Sequence, residues 1–139
     1  MLIQIKAESF TWTAPPPAWT PTGGDDIRTV KYPVLNGSIN VALRWNYTLG
    51  TGELVSSTSW ELDGTQIIFV FVTGFKKIKD DRFDFNKSEV ATLIVKNVSE
   101  LEDANIQCMV QTDVGSWKYN IRLEITGDKF KSFTSDGSF

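Results

Sequence analysis

The chain has 139 residues, 41% of them apolar and 22% charged, with a net charge of −3. That is the composition of one globular domain, without the basic excess that neutralises nucleic-acid or anionic-membrane phosphate. Histidine is absent and Cys108 is the single cysteine, which removes the commonest general base, any intrachain disulfide and any cysteine-based zinc site; no catalytic residue, metal or cofactor is expected.

Met1–Phe10 does not read as a secretory signal, because Lys6 and Glu8 interrupt it and Leu2-Ile3-Gln4-Ile5 is too short for an apolar core. The chain is then either cytosolic or a mature piece of a secreted protein. No apolar run approaches the ~18 residues of a membrane span, so any membrane attachment would come through regions outside this chain. Ala14-Pro15-Pro16-Pro17 forces an extended break. It could serve as a polyproline ligand or as a kink between strands.

From there turn signals recur at short intervals: Asn36-Gly37-Ser38, Gly50-Thr51-Gly52, Asp63-Gly64, Thr73-Gly74 and Asp113-Val114-Gly115-Ser116. The runs between them are rich in Val, Ile, Thr, Phe and Trp, which predicts an all-β sandwich or barrel. Ile39, Val41, Leu43, Trp45 and Tyr47 alternate with polar residues and predict a strand with one buried face. Asp63-Gly64 suits a type I′ turn joining a strand around Trp60 to one over Ile67–Val72. The latter is apolar on both faces; the reading adopted puts Ile67, Phe69 and Phe71 inside and Ile68, Val70 and Val72 outside, with the reverse arrangement, which exposes Phe69, as the alternative. Asp80, Asp84 and Asn86 alternate, but on a strand they lie too far apart to share a calcium ion, so no metal site is assigned. Ser99-Glu100-Leu101-Glu102 reads as a capping box, Ser99 on the Glu102 amide. Ile106, Cys108 and Val110, then Tyr119, Ile121, Leu123 and Ile125, mark two further half-buried strands, with Cys108 an inert buried thiol. Residues 127–139 are polar and aperiodic, and read as a linker or tail after a domain spanning 1–126.

The order of these features resembles an immunoglobulin-like domain. Gly37-x-x-x-Val41-x-Leu43-x-Trp45 is similar to that family's strand B, with Trp45 at the position of its first cysteine. Trp60 matches the core tryptophan of strand C, Arg82-Phe83 the start of strand D, Ala91–Val98 strand E, Glu102–Cys108 the approach to the second cysteine on strand F, and Trp117–Ile125 strand G. The resemblance implies a variable-type Greek-key sandwich with room for C′ and C″ strands and without the B–F disulfide. Trp45, Trp60 and Cys108 would share the core, Ile106 would replace the corner tyrosine, and Arg82 would pair with Asp103 or, failing that, Glu102. With Trp45-Asn46-Tyr47-Thr48 ending strand B, the pattern resembles divergent invertebrate cell-surface receptors of the cnidarian allorecognition type.

Four glycosylation sequons start at Asn36, Asn46, Asn86 and Asn97. Under the resemblance all four fall on the sheet of strands A, B, E and D, which leaves the C–C′–F–G sheet bare. The expected function is an extracellular recognition or adhesion domain of a cell-surface receptor. It would bind a protein partner, itself included, through Ile68, Val70, Val72, Met109, Gln111 and Arg122, with no role for nucleic acid or a small-molecule substrate. An intracellular structural scaffold module and a carbohydrate-binding sandwich are the alternatives, the latter needing an exposed platform from Trp12, Trp19 or Trp117.

Overall fold

Strand propensity and short turns dominate the chain, and the computed structural model, which describes residues 9–86, 89 and 91–127, is accordingly built of strands. In chain order they are β1 Thr11–Ala14, β2 Arg28–Leu35, β3 Ile39–Arg44, β4 Asn46–Thr48, β5 Val55–Leu62, β6 Thr65–Phe71, β7 Lys76–Ile78, β8 Phe83–Phe85, β9 Thr92–Asn97, β10 Ala104–Thr112 and β11 Ser116–Thr126. One layer is a six-stranded sheet in the order β2-β11-β10-β5-β6-β7, antiparallel except for the parallel β2–β11 pair. The facing layer joins a three-stranded sheet, β3-β9-β8, to a two-stranded one, β1-β4. This is the immunoglobulin-like variable-type sandwich, with β5 and β6 as C and C′, β7 as C″, and β10 and β11 as F and G. Among the described residues no helix is long and apolar enough to cross a membrane.

The second layer is divided because its central strand changes partner. β3 pairs with β9 as far as Arg44, Trp45 donates its backbone N–H to the Ala91 carbonyl, and β4 then pairs with β1. Trp45 is fully buried at that break, and its indole N–H donates across the core to the Tyr119 carbonyl on β11 at 3.0 Å. Leu43, Trp60, Leu93, Val95, Ile106 and Cys108 lie in the same buried cluster, with Cys108 directly opposite Trp60 on the β10–β5 ladder. An indole bonded to the opposite sheet thus stands where a cystine would cross.

The N-terminal segment supplies a second aromatic block. Trp12 and Trp19 exchange backbone hydrogen bonds around the triproline, and Phe10, Trp12 and Trp19 are buried against Tyr47, Trp117 and Tyr119. The Tyr119 hydroxyl donates to the Pro15 carbonyl at 2.8 Å. The proposed carbohydrate platform is therefore corrected: Trp12, Trp19 and Trp117 are 0%, 6% and 9% exposed and stack inside the sandwich.

Two local expectations are also corrected. Arg82 does not pair with Asp103 or Glu102. Its guanidinium forks onto Asp80, two residues back, at 2.6 Å from Nη2 and 3.0 Å from Nε, and it donates to the Glu100 carbonyl. Asp103 instead accepts the Ile125 backbone N–H. A fork formed within one turn costs less chain ordering than one reaching across the sandwich. The capping box is displaced as well: the 3-10 turn Val98–Glu100 is capped by Asn97, whose side-chain oxygen accepts from the Ser99 N–H and hydroxyl. Residues 128–139 of the expected tail lie outside the described residues.

Candidate functional site

The outer face of the six-stranded sheet is set by one irregularity. On the β5–β6 hairpin, Leu62 pairs with Thr65 across an Asp63-Gly64 turn of positive φ (47° and 89°), the geometry of a type I′ turn. Glu61 then pairs with Gln66 but Trp60 with Ile68, so Ile67 is an extra, bulged residue. A bulge inverts the alternation beyond it. Ile67 and Ile68 are both buried, Ile68 beside Trp60 in the core, and Val70 packs against the core from its edge.

From Ile68 to Phe71 the inward and outward sets are thus the reverse of the adopted reading, while Ile67 is buried and Val72 exposed as expected. Ile68 and Val70 face the sandwich, and Phe69 and Phe71 face out, opposite Ser59 and Ser57 of β5. Val72, just past β6, is exposed at 69%. Met109, Gln111 and Arg122 alternate with buried neighbours on β10 and β11 and share the outer face with Lys118, Asn120 and Gln107. Sequence reasoning reached an exposed Phe69 only as the alternative and did not name Phe71, because two-sided apolarity conceals register; the signal available was the Gln-Ile-Ile run directly after the turn.

These residues make a continuous aromatic patch. The Phe69 and Phe71 rings meet edge to face at 4.6 Å, and Phe71 meets Phe75, on the β6–β7 turn, at 5.9 Å. Phe71 is 41% exposed and Phe75 59%. Ser57 and Ser59 form the floor between this ridge and Met109, and both are buried. Lys77 beside Phe69, Lys118 beside Met109 and Glu61 on β5 provide a charged rim. An apolar centre with a polar rim is the composition of a protein contact surface.

One end of this face is held rigid by a buried carboxylate that the sequence gave no reason to single out. Glu53, in the β4–β5 loop and 5% exposed, accepts from the Gly50 N–H at 2.9 Å, the Thr112 hydroxyl and the Trp117 indole N–H at 2.8 Å. Asp113 closes the same junction, accepting the Leu54 N–H and donating its own to the Leu54 carbonyl. The β4–β5 loop and the β10–β11 hairpin are thereby locked together.

The titratable groups inside are structural. Burial pushes the Cys108 thiol well up, away from the reactive thiolate. Burial, with the neighbouring Cys108 charge, raises the Tyr47 phenol to about 12. The Arg82 fork holds Asp80 below the usual carboxylate range.

Three of the four sequon asparagines lie on the layer opposite the aromatic patch: Asn46 on β4, Asn97 at the end of β9 and Asn86 just after β8. Asn36 sits in the β2–β3 turn, where its N–H donates to the Thr126 carbonyl. Asn46 also borders an open cleft of about 390 Å³, lined by Ala14, Arg44, Trp45, Asn46, Glu89 and Thr92, where the central strand changes partner.

No protein-family model matches the sequence, and no curated protein matches it. The fold is nonetheless shared with solved structures. Murine CRIg is 16% identical with a TM-score of 0.55, the match covering 70% of this chain and 92% of that one. The extracellular domain of the voltage-gated sodium channel beta4 subunit is 12% identical with a TM-score of 0.52, covering 73% of this chain and 89% of that one.

Proposed function

We propose that this immunoglobulin-like domain is an extracellular recognition or adhesion module of a cell-surface receptor. It binds a protein partner through the outer face of the six-stranded sheet, with a second copy of itself as the favoured partner. This is in keeping with its resemblance to invertebrate receptors of the allorecognition type. The observation that carries the reading is the bulge at Ile67, which turns Phe69 and Phe71 out of the core, across the Ser57 and Ser59 floor from Met109, on the layer opposite the Asn46, Asn86 and Asn97 sequons. A sequence that only needed a stable sandwich gains nothing from Phe71 in water; burying it against a partner recovers about 25 cal/mol per Å² of apolar area. The sodium channel beta4 subunit, whose extracellular domains form parallel homodimers that explain its role in cell-cell adhesion, supports testing self-association first.

The test is a bead-aggregation assay on the displayed domain. Wild-type beads should aggregate with one another, and Phe71→Asp or Met109→Asp should abolish this while leaving the melting temperature close to that of the wild type. Aggregation that survives both substitutions would refute the face. A wild type that does not self-associate would refute the homophilic partner.

A further inference from the structure

The cleft beside Asn46 has no part in the face just described. It exists because β3 pairs with β9 and β4 with β1, so the layer opens over Trp45. Its wall is mostly apolar but carries one polar cluster: Arg44 Nε donates to Glu89 Oε1 at 3.1 Å, and the Thr92 hydroxyl donates to the same oxygen at 3.3 Å. Both charged side chains are largely solvated, at 63% and 45% exposure, so the pair is worth little as a salt bridge and retains hydrogen-bonding capacity for hydroxyl groups. Asn46 stands exposed at the rim within Asn46-Tyr47-Thr48, a sequon. Its side-chain oxygen accepts the Tyr47 N–H at 2.9 Å, which fixes the amide and leaves Nδ2 as the atom able to carry a substituent.

The other sequons lack this setting. Asn97 caps the 3-10 turn and Asn36 lies in the β2–β3 turn, and neither lines this cleft. Asn86 borders a smaller cleft of about 160 Å³, lined by Thr58, Trp60, Val70, Phe85, Glu89 and Ala91, which offers less room for a sugar ring.

We infer that Asn46 carries an N-linked glycan whose first N-acetylglucosamine seats in this cleft, on Arg44, Glu89 and Thr92, and closes the opening over Trp45. The inference rests on the extracellular reading, since the modification is made in the secretory pathway. The donor is a polyprenyl-pyrophosphate oligosaccharide. The Asn46 Nδ2–C1 bond forms, the C1–oxygen bond to pyrophosphate breaks, and Nδ2 gives up one proton. Tethering then presents the sugar to the cleft at high effective concentration without a separate binding step.

The experiment expresses the full chain behind a secretion signal in animal cells, and without one in bacteria, each as wild type and Thr48→Ala, which removes the sequon but keeps Asn46. Glycopeptide mass spectrometry reads occupancy at each sequon. We expect Asn46 to be occupied and the glycosylated wild type to melt several degrees above Thr48→Ala from the same cells, whereas the two bacterial proteins melt together. Trimming to a single N-acetylglucosamine should preserve the gain, and Arg44→Ala in the glycosylated protein should reduce it. An occupied Asn46 with no gain, or an empty Asn46 beside other occupied sequons, would overturn the inference and leave the extracellular reading standing. A protein with every sequon empty would overturn both.

Discussion

Replacing Trp45 tests the central packing argument most directly. The indole is fully buried, spans the layers and donates to the Tyr119 carbonyl at 3.0 Å. Trp45→Ala removes the ring and leaves a cavity among Leu43, Trp60 and Cys108, at a cost of about 3–5 kcal/mol. Trp45→Phe keeps most of the packing but strands a buried carbonyl, at about 1–3 kcal/mol. Trp45→Cys separates volume from cross-linking. Its cavity resembles that of the alanine variant, but a bond to Cys108 would close a span of 63 residues, worth about 4 kcal/mol in the chain-entropy estimate. Oxidised Trp45→Cys should therefore unfold near the wild type, and its reduced form near Trp45→Ala. Urea denaturation followed by circular dichroism, with and without reductant, measures all four proteins. With native stabilities of about 5–15 kcal/mol, Trp45→Ala should still fold in the cold. An alanine variant destabilised by less than about 1 kcal/mol, or a cysteine variant that forms no disulfide under oxidation, would show that the indole does not occupy the cystine's place.

Glu53→Gln replaces a buried acceptor of three donors with a group that is itself half donor, and should cost about 1–3 kcal/mol, read by denaturant midpoint; a neutral result would mean that the loop junction is not held by this carboxylate. Native Cys108 should resist thiol reagents at neutral pH, with any labelling following global unfolding; fast labelling would contradict its burial. Because the Tyr47 phenol titrates near 12 when folded against 10.0 as its reference value, its contribution is complete below pH 10 and is lost as pH rises toward 12. Melting temperatures should accordingly fall across that interval, and by less in Tyr47→Phe. Asp80→Asn should release Arg82 and raise the domain's sensitivity to proteolysis between β7 and β8, whereas Asp103→Asn should leave that segment unchanged; the opposite pattern would restore the cross-sandwich pair.

Much of the fold was legible because period-two alternation reports directly which face is buried. β10 and β11 follow it residue by residue, and the Asp63-Gly64 turn lies where its backbone demands place it. The outer face was not legible for the same reason read in reverse. Where Ile67 to Val72 are apolar on both sides, alternation carries no information, and a one-residue bulge decides the answer through packing on Trp60. Arg82 found a neighbour two positions away, which a comparison with distant domains overlooks. Glu53 gave no local signal, since its partners Thr112 and Trp117 stand 59 and 64 residues on. Trp12 and Trp19 stood as candidates for an exposed platform, and only the return of the chain around the triproline buries them, with Phe10, against Trp117 and Tyr119 of β11.

The parallel pairing of β2 with β11 bears on how the domain carries load. The ladder runs from Arg28 opposite Tyr119 to Leu35 opposite Thr126. A pull between the residues preceding β2 and those following β11 therefore acts along the strands, from opposite ends. In that direction the hydrogen bonds share the load and must yield together, rather than opening one at a time like a zipper. Resistance to tension is a matter of unfolding rate rather than equilibrium stability. A domain of this build should hold under force out of proportion to its melting temperature, and single-molecule pulling should find its main rupture at this ladder, with Phe10, Trp12 and Trp19 coming free before it because they lie outside the sheared pair.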